Sequence, residues 1–139
     1  MKKKDQYTEL NVYFLKQKRE EEGIKELCDG ILYEEIQVNQ NIKEGKGRIP
    51  GPRSIVTCHY KGSTINGRVF DETFSSGCPA AFRVYDLIQG FQAALINMHI
   101  GDHWRVYIPS RFGYGRMGAG RDIPGNSTLI FEIHLVGIN

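Results

Sequence analysis

The sequence predicts an α+β domain: an antiparallel β-sheet wrapped around one short amphipathic helix, with an extra helix at the N-terminus. Three observations predict it. From Ile31 onward most apolar residues alternate with the period of two that marks strands. One segment breaks that pattern, with Leu87, Ile88, Phe91, Ala94, Leu95 and Met98 recurring at three and four residues. Residues 5 to 22 run without Gly or Pro. Many strands around a single amphipathic helix, rather than strands and helices in alternation, call for an antiparallel sheet with one face covered.

In chain order, residues 5 to 22 are expected to be helical, with Tyr7, Leu10 and Phe14 on one stripe and Gly23 as the stop. So thin a stripe predicts weak docking. Residues 1–22 are therefore expected to form a helical arm dispensable for folding and activity, and residues 23–139 the domain proper. Ile31 to Val38 reads as a strand, and Asn39 to Pro52 as a turn-rich stretch. Ser54 to Lys61 alternates as a strand. Asn66-Gly67 lies between Thr64-Ile65 and Val69-Phe70, which predicts a hairpin with a type I′ turn and two residues at positive φ. The central helix is expected to start at Asp86 as its cap and to stop at Gly101. Gly90 inside it costs roughly 1 kcal/mol relative to Ala, so it predicts a close approach to another element. Trp104, Val106 and Ile108 alternate with Arg105 and Tyr107, and Leu129, Phe131, Ile133 and Leu135 with Ile130, Glu132, His134 and Val136, which predicts two final strands.

The chain has 139 residues, 40% hydrophobic and 24% charged, enough for one domain with a core and a soluble surface. The formal net charge is +2, with basic and acidic residues interspersed. A nucleic-acid partner is not expected, since it needs a concentrated basic face. Lys2-Lys3-Lys4 is followed at once by Asp5 and reads as a solvated terminus. No apolar run approaches the ~20 residues that span a bilayer, so no membrane span is expected. A cytoplasmic location is expected, with an exported protein shorn of its signal as the alternative. Cys28, Cys58 and Cys78 show neither zinc nor disulfide spacing.

Several motifs promise chemistry and fail on context. Gly113-Tyr114-Gly115-Arg116-Met117-Gly118 matches G-x-G-x-x-G, but no helix-forming sequence follows, and only 21 residues remain after Gly118. His99 and His103 have a metal spacing, yet Gly101 between them breaks the helix that would align them. No Ser or Cys has a nucleophile's context, and Asn126-Ser127-Thr128 reads as a turn. No metal or cofactor is expected. What remains is a set of aromatic residues, Tyr60, Phe70, Phe82, Phe91, Tyr114 and Phe131, which composition and periodicity leave open between core and pocket.

Their context narrows the choice. The chain carries, in order, His59-Tyr60-Lys61-Gly62, Asn66-Gly67-Arg68-Val69-Phe70-Asp71, Pro79-Ala80-Ala81-Phe82 and Leu87-Ile88-Gln89-Gly90-Phe91. Ile108-Pro109-Ser110-Arg111-Phe112-Gly113-Tyr114-Gly115 and Ile123-Pro124-Gly125-Asn126-Ser127-Thr128-Leu129-Ile130-Phe131 complete the set. From about Gly51 to Ile138 the chain thereby resembles the FKBP-type peptidyl-prolyl cis/trans isomerases. Trp104 ahead of Tyr107-Ile108-Pro109, and the stretch from Gly23 to Ile36, resemble the bacterial macrophage-infectivity-potentiator branch. The 5–22 helix resembles a remnant of that branch's dimerisation region; the reading favours a monomer.

The resemblance implies an isomerase acting on X-Pro bonds in peptides and in unfolded or folding proteins, without a cofactor, in a pocket that also takes rapamycin-type macrolides. It implies catalytic roles for Tyr60, Asp71 and Tyr114, with Tyr114 offering its hydroxyl to the substrate and Asp71 either anchoring Tyr60 or polarising the pocket edge. Phe70, Phe82, Leu87, Ile88, Phe91, Ile123 and Phe131 would bind the substrate. Phe91 would be the floor, where the family usually has tryptophan, and Ile88 would offer its backbone N–H. As pocket residues, Phe91 and Tyr114 are expected to stay open on one side. Ala80, Ala119, Asp122 and Gly125 depart from the pattern of many members. The alternative reading is a non-catalytic module that binds proline peptides or acts as a chaperone.

Overall fold

The structure, a computed structural model, describes residues 3–37 and 47–139. Val38 and residues 39–46 of the expected turn-rich stretch lie outside them. The chain opens with helix α1 (Lys3–Arg19), then strands β1 (Lys25–Cys28), β2 (Ile31–Gln37), β3 (Ile55–Ser63), β4 (Val69–Glu72) and β5 (Ala80–Arg83). Helix α2 (Gln89–Leu95) is followed by β6 (His103–Ile108) and β7 (Leu129–Ile138). The described strands make one antiparallel sheet in the order β1-β2-β6-β7-β3-β4, with β5 pairing β3 beyond β4.

Strand alternation divides the sheet into two faces. On the inner face Val56 and Cys58 of β3, Val106 and Ile108 of β6, and Leu129, Ile133 and Leu135 of β7 are fully buried with Ala94, Leu95 and Met98. Each such aliphatic side chain is worth about 1.5–3 kcal/mol when taken out of water. Gly90 makes the close approach its position suggested. A Cβ there would lie 2.4 Å from Cγ2 of Ile108, so α2 rests on β6 with no room for a methyl group. Burial pushes the Cys58 thiol up to about 12, which makes it a packing residue.

Four local expectations are corrected. Asp86 does not cap α2; it ends a separate 3-10 turn, Val84–Asp86. Leu87 and Ile88 are extended, Ile88 is the N-cap, and the Gln92 amide donates back to Leu87 O at 2.6 Å. Gly101, at φ +95, turns the chain into β6 rather than ending the helix, which already stops at Leu95. The Asn66-Gly67 turn is not type I′. Only Gly67 has positive φ; its N–H donates to Thr64 O, and Thr64 N–H donates to Arg68 O, both at 3.0 Å. This is the three-residue loop with a glycine bulge. The Asn66 side chain decides it, since Oδ1 accepts from the Thr64 hydroxyl and from Arg68 N–H.

The fourth correction concerns α1. Leu10 is 57% exposed, and the docking stripe is Tyr7, Asn11, Phe14 and Lys18. Phe14 and Lys18 cover the ring of Tyr107, which points to the outer face and is buried. Hydrophobic periodicity could not find this stripe because its most buried member, Asn11, is polar.

On the same outer face, His59, His134 and His103 are cross-strand neighbours on β3, β7 and β6. The rings of His103 and His134 stack at 5.3 Å, and His103 Nε2 lies 2.8 Å from Glu132. Burial, then the charges of His103 and His59, hold His134 below its usual value. The unfolded chain takes up that proton near pH 6.5 and the folded chain does so only at lower pH. Below about pH 6.5 the unfolded state therefore binds more protons, and stability falls as pH falls. The melting temperature should drop between pH 7 and pH 5, and His134→Gln should flatten the drop. An equally steep decline in the variant, followed by circular dichroism, would remove His134 as its source.

Candidate active site

A cavity of about 440 Å³ opens beside the N-terminus of α2, between the sheet and the loop that joins β6 to β7. All ten residues singled out from the sequence line it. β3 and β4 bring Tyr60, Phe70 and Asp71; β5 brings Phe82; the entry to α2 brings Leu87, Ile88 and Phe91. The long loop brings Tyr114 and Ile123, and β7 brings Phe131. Asp86, Ala119 and Asp122 line it as well.

The floor is built from rings meeting edge to face. Phe91 and Phe131 lie 5.1 Å apart, Phe70 and Phe131 5.6 Å, and Tyr60 and Phe82 5.5 Å. Such pairs add about 0.5–1.5 kcal/mol to their burial. Gly62 lets this happen, since a Cβ there would be 2.6 Å from Cζ of Phe70 and 2.7 Å from Cε1 of Phe131. Phe91 is only 3% exposed, against 39% for Tyr114. Phe91 is thus as much core as floor, contrary to the expectation of an open side, while Tyr114 stands at the open mouth.

Polar groups sit at the rim. The Tyr60 hydroxyl donates to Asp71 Oδ2. Burial first, and the Asp71 carboxylate second, raise the Tyr60 pKa far above its usual value, so Tyr60 stays a neutral phenol. Asp71 is therefore in place to anchor Tyr60. Among the described residues neither the Tyr114 hydroxyl nor the Ile88 N–H has a hydrogen-bond partner. Asp122 pairs with Arg68 at 2.6 Å and so ties the long loop to the β3–β4 turn across the mouth. That pair spans distant segments and carried no local signal in the sequence.

The long loop holds the G-x-G-x-x-G match, which opens no helix. Ala119 and Ile123 exchange backbone hydrogen bonds at 2.8 and 3.3 Å, with Gly118 at φ +68 before them. A Cβ on Gly125 would lie 2.1 Å from Arg116 O, which accounts for glycine at that departure from the family pattern. His99 and His103 point to different partners, Asp102 and Glu132.

A family model described as FKBP-type peptidyl-prolyl cis-trans isomerase matches residues 46–136. The chain belongs to this family. It is 36% identical over 125 residues to peptidyl-prolyl cis-trans isomerase Mip of Coxiella burnetii, covering 90% of this chain and 52% of that protein. It is 38% identical over 125 residues to the outer membrane protein MIP of Legionella longbeachae, covering 90% of this chain and 51% of the relative. The chain thus spans about half the length of these curated relatives. The crystal structure of a peptidyl-prolyl cis-trans isomerase from Pseudomonas syringae superposes with a TM-score of 0.86 at 32% identity, over 100% of this chain and 98% of that one. The FKBP-type fold with an added N-terminal helix is therefore the fold of this chain, and the likeness to the Mip branch extends beyond the motifs around Trp104.

The ring contacts under the FKBP-type pocket give a direct test. Gly62→Ala must push Phe70 or Phe131 aside, and such overpacking costs about 1–3 kcal/mol. Gly137→Ala, where a Cβ meets nothing within 4 Å, is the control. The first variant should melt several degrees below the second. Equal melting temperatures would show that the rings yield freely and that Gly62 does not shape the floor.

Proposed function

We propose that this chain is a peptidyl-prolyl cis/trans isomerase that turns X-Pro bonds of peptides and folding proteins in the pocket beside α2. The observation that carries this reading is the pairing of a ring-lined floor with two unoccupied donors at its mouth, the Tyr114 hydroxyl and the Ile88 N–H. The family, and the names of the relatives, support it.

Turning an amide breaks its resonance, at a cost of about 18–20 kcal/mol. No bond to the protein is formed, so the reaction needs no nucleophile. The planar imide is charge-separated and well solvated; the twisted one has lost conjugation. A water-poor, apolar floor of Phe91, Phe131 and Phe82 favours the twisted form over the planar one. Leu87 and Ile123 close the sides about the proline ring, and Phe70 backs Phe131. Ile88 N–H and Tyr114 hold carbonyls of the flanking chain while the imide rotates between them. Tyr60, fixed by Asp71, presents a neutral hydroxyl to the cavity and keeps its ring against Phe82.

Rapamycin-type macrolides, with a proline-like ring, would occupy the same floor and raise the melting temperature by mass action. All the pocket residues come from one chain, so a monomer is a sufficient unit. We place the isomerase domain at residues 23–139, with 1–22 as the appended arm. No described helix is long and apolar enough to cross a membrane. The cytoplasmic expectation finds no support among the relatives; the outer-membrane name of the Legionella protein favours the exported alternative.

Proline-limited refolding of a model substrate should be accelerated by the purified protein. Tyr114→Phe should reduce turnover clearly while shifting the melting temperature by no more than a few degrees, since an exposed hydroxyl is worth about 1 kcal/mol or less to folding. Refolding at the uncatalysed rate would leave the non-catalytic, proline-binding module as the reading. Full activity with a sharply lowered melting temperature in Tyr114→Phe would make Tyr114 a structural residue.

A further inference from the structure

Helix α1 lies outside residues 46–136, yet its polar stripe grips the root of the loop that walls the pocket. Asn11, 2% exposed, accepts a hydrogen bond from Thr128 N–H at 2.7 Å. Its amide donates to Tyr7 O at 2.8 Å, which orients the side chain. The Tyr7 hydroxyl lies 2.7 Å from Ser127 Oγ, and the Asn126 amide donates to Thr8 Oγ1 at 3.1 Å. Three consecutive loop residues, 126 to 128, are therefore held by three residues of one helix more than a hundred positions away.

Two of the three grips continue to a pocket wall. Asn126 is held at φ +67, a left-handed conformation unusual for a residue with a side chain. Its N–H donates to Gly115 O at 2.9 Å, and Gly115 follows Tyr114. The Ser127 hydroxyl donates to Pro124 O at 2.6 Å, and Pro124 follows Ile123. Tyr114 and Ile123 thus each stand one residue from a hydrogen bond whose other end is anchored on α1.

A helix kept only for adhesion would turn its apolar residues inward. Here Leu10, Val12 and Tyr13 are exposed, while a buried asparagine faces the loop. A buried amide must find partners or cost stability, so it accepts only one placement of Thr128. An apolar contact at that position would tolerate sliding.

We propose that α1 is a brace for the pocket loop, and that Tyr7, Asn11 and Asn126 are positioning residues for the isomerisation. The functional half of this proposal rests on the isomerase reading. It gives the arm a part in the reaction, where its thin apolar stripe alone would make it dispensable.

Two variants of the full chain test it with little disturbance of packing. Asn126→Gly keeps the left-handed backbone and removes the bond to Thr8; Tyr7→Phe keeps the ring and removes the bond to Ser127. Amide hydrogen exchange at Gly115, Asn126 and Thr128 should speed up in both. At a temperature well below melting, KM for a proline peptide should rise about tenfold, less than the about 10²-fold that a 1 Å misplacement can cost in rate. A smaller folded fraction would lower the apparent kcat and leave KM alone. Leu10→Ala, on the exposed side of the same helix, should change neither exchange nor KM. Unchanged exchange in both variants overturns the brace, and faster exchange with unchanged KM overturns the positioning role. A wild-type protein without turnover would instead sink the isomerase reading, and the exchange measurements would still decide whether α1 braces the loop.

Discussion

The contact between Gly90 and Ile108 is the constraint from which the site follows. Because Gly90 has no side chain, α2 settles onto β6 at a distance that a methyl group would forbid. That depth brings the next residue, Phe91, level with the inner face of the sheet, 5.1 Å from Phe131. A helix held farther out would leave a gap beneath the ring, and a cavity floor needs atoms on both sides to keep its dispersion contacts. The roughly 1 kcal/mol of helix propensity lost at Gly90 is offset by the burial of Phe91, Ala94 and Leu95 that the close approach permits.

The pocket is consequently the open margin of the core rather than a hollow added to it. Exposure rises from Phe91 and Phe131 at the bottom to Tyr114 at the mouth. Under the proposed isomerisation, this gradient would give the rotating imide apolar surroundings and give the chain on either side donors in reach of water. Asp71 is used to hold Tyr60, and Asp122 to hold Arg68. These two carboxylates are each paired with a side chain of the surrounding walls.

Much of this was legible in the sequence. Alternation identified β3, β6 and β7 as strands, because they are half-buried and the hydrophobic signal has the period of the pleat. The ten pocket residues were legible only through the order of six short motifs; periodicity alone could not separate Phe91 in the core from Tyr114 at the mouth. The misses share a cause. The local propensities of Asp86 and Asn66 point to a cap and to a type I′ turn. In the structure the Gln92 amide reaches back to Leu87 O, and Asn66 Oδ1 bonds Thr64 and Arg68. Leu10 was read inward because it is apolar, while the surface offered to α1 is the backbone of Thr128 and the hydroxyl of Ser127.

These misses separate two layers of design within one fold. The apolar layer is periodic, local in sequence and enough to specify the sheet, α2 and the floor. The polar layer joins distant segments: Arg68 to Asp122, Asn11 to Thr128, Asn126 to Thr8. It contributes little net stability, since a satisfied hydrogen bond nets about 0.5–1.5 kcal/mol and an exposed ion pair about 0–1. What it supplies is placement, because a hydrogen bond fails over a few tenths of an ångström where an apolar contact merely loosens. The long loop, with glycines at 113, 115, 118, 120 and 125, has few apolar anchors of its own. Its geometry over the pocket therefore has to come from polar links such as the bonds from α1 at its root and the Arg68–Asp122 pair across its mouth.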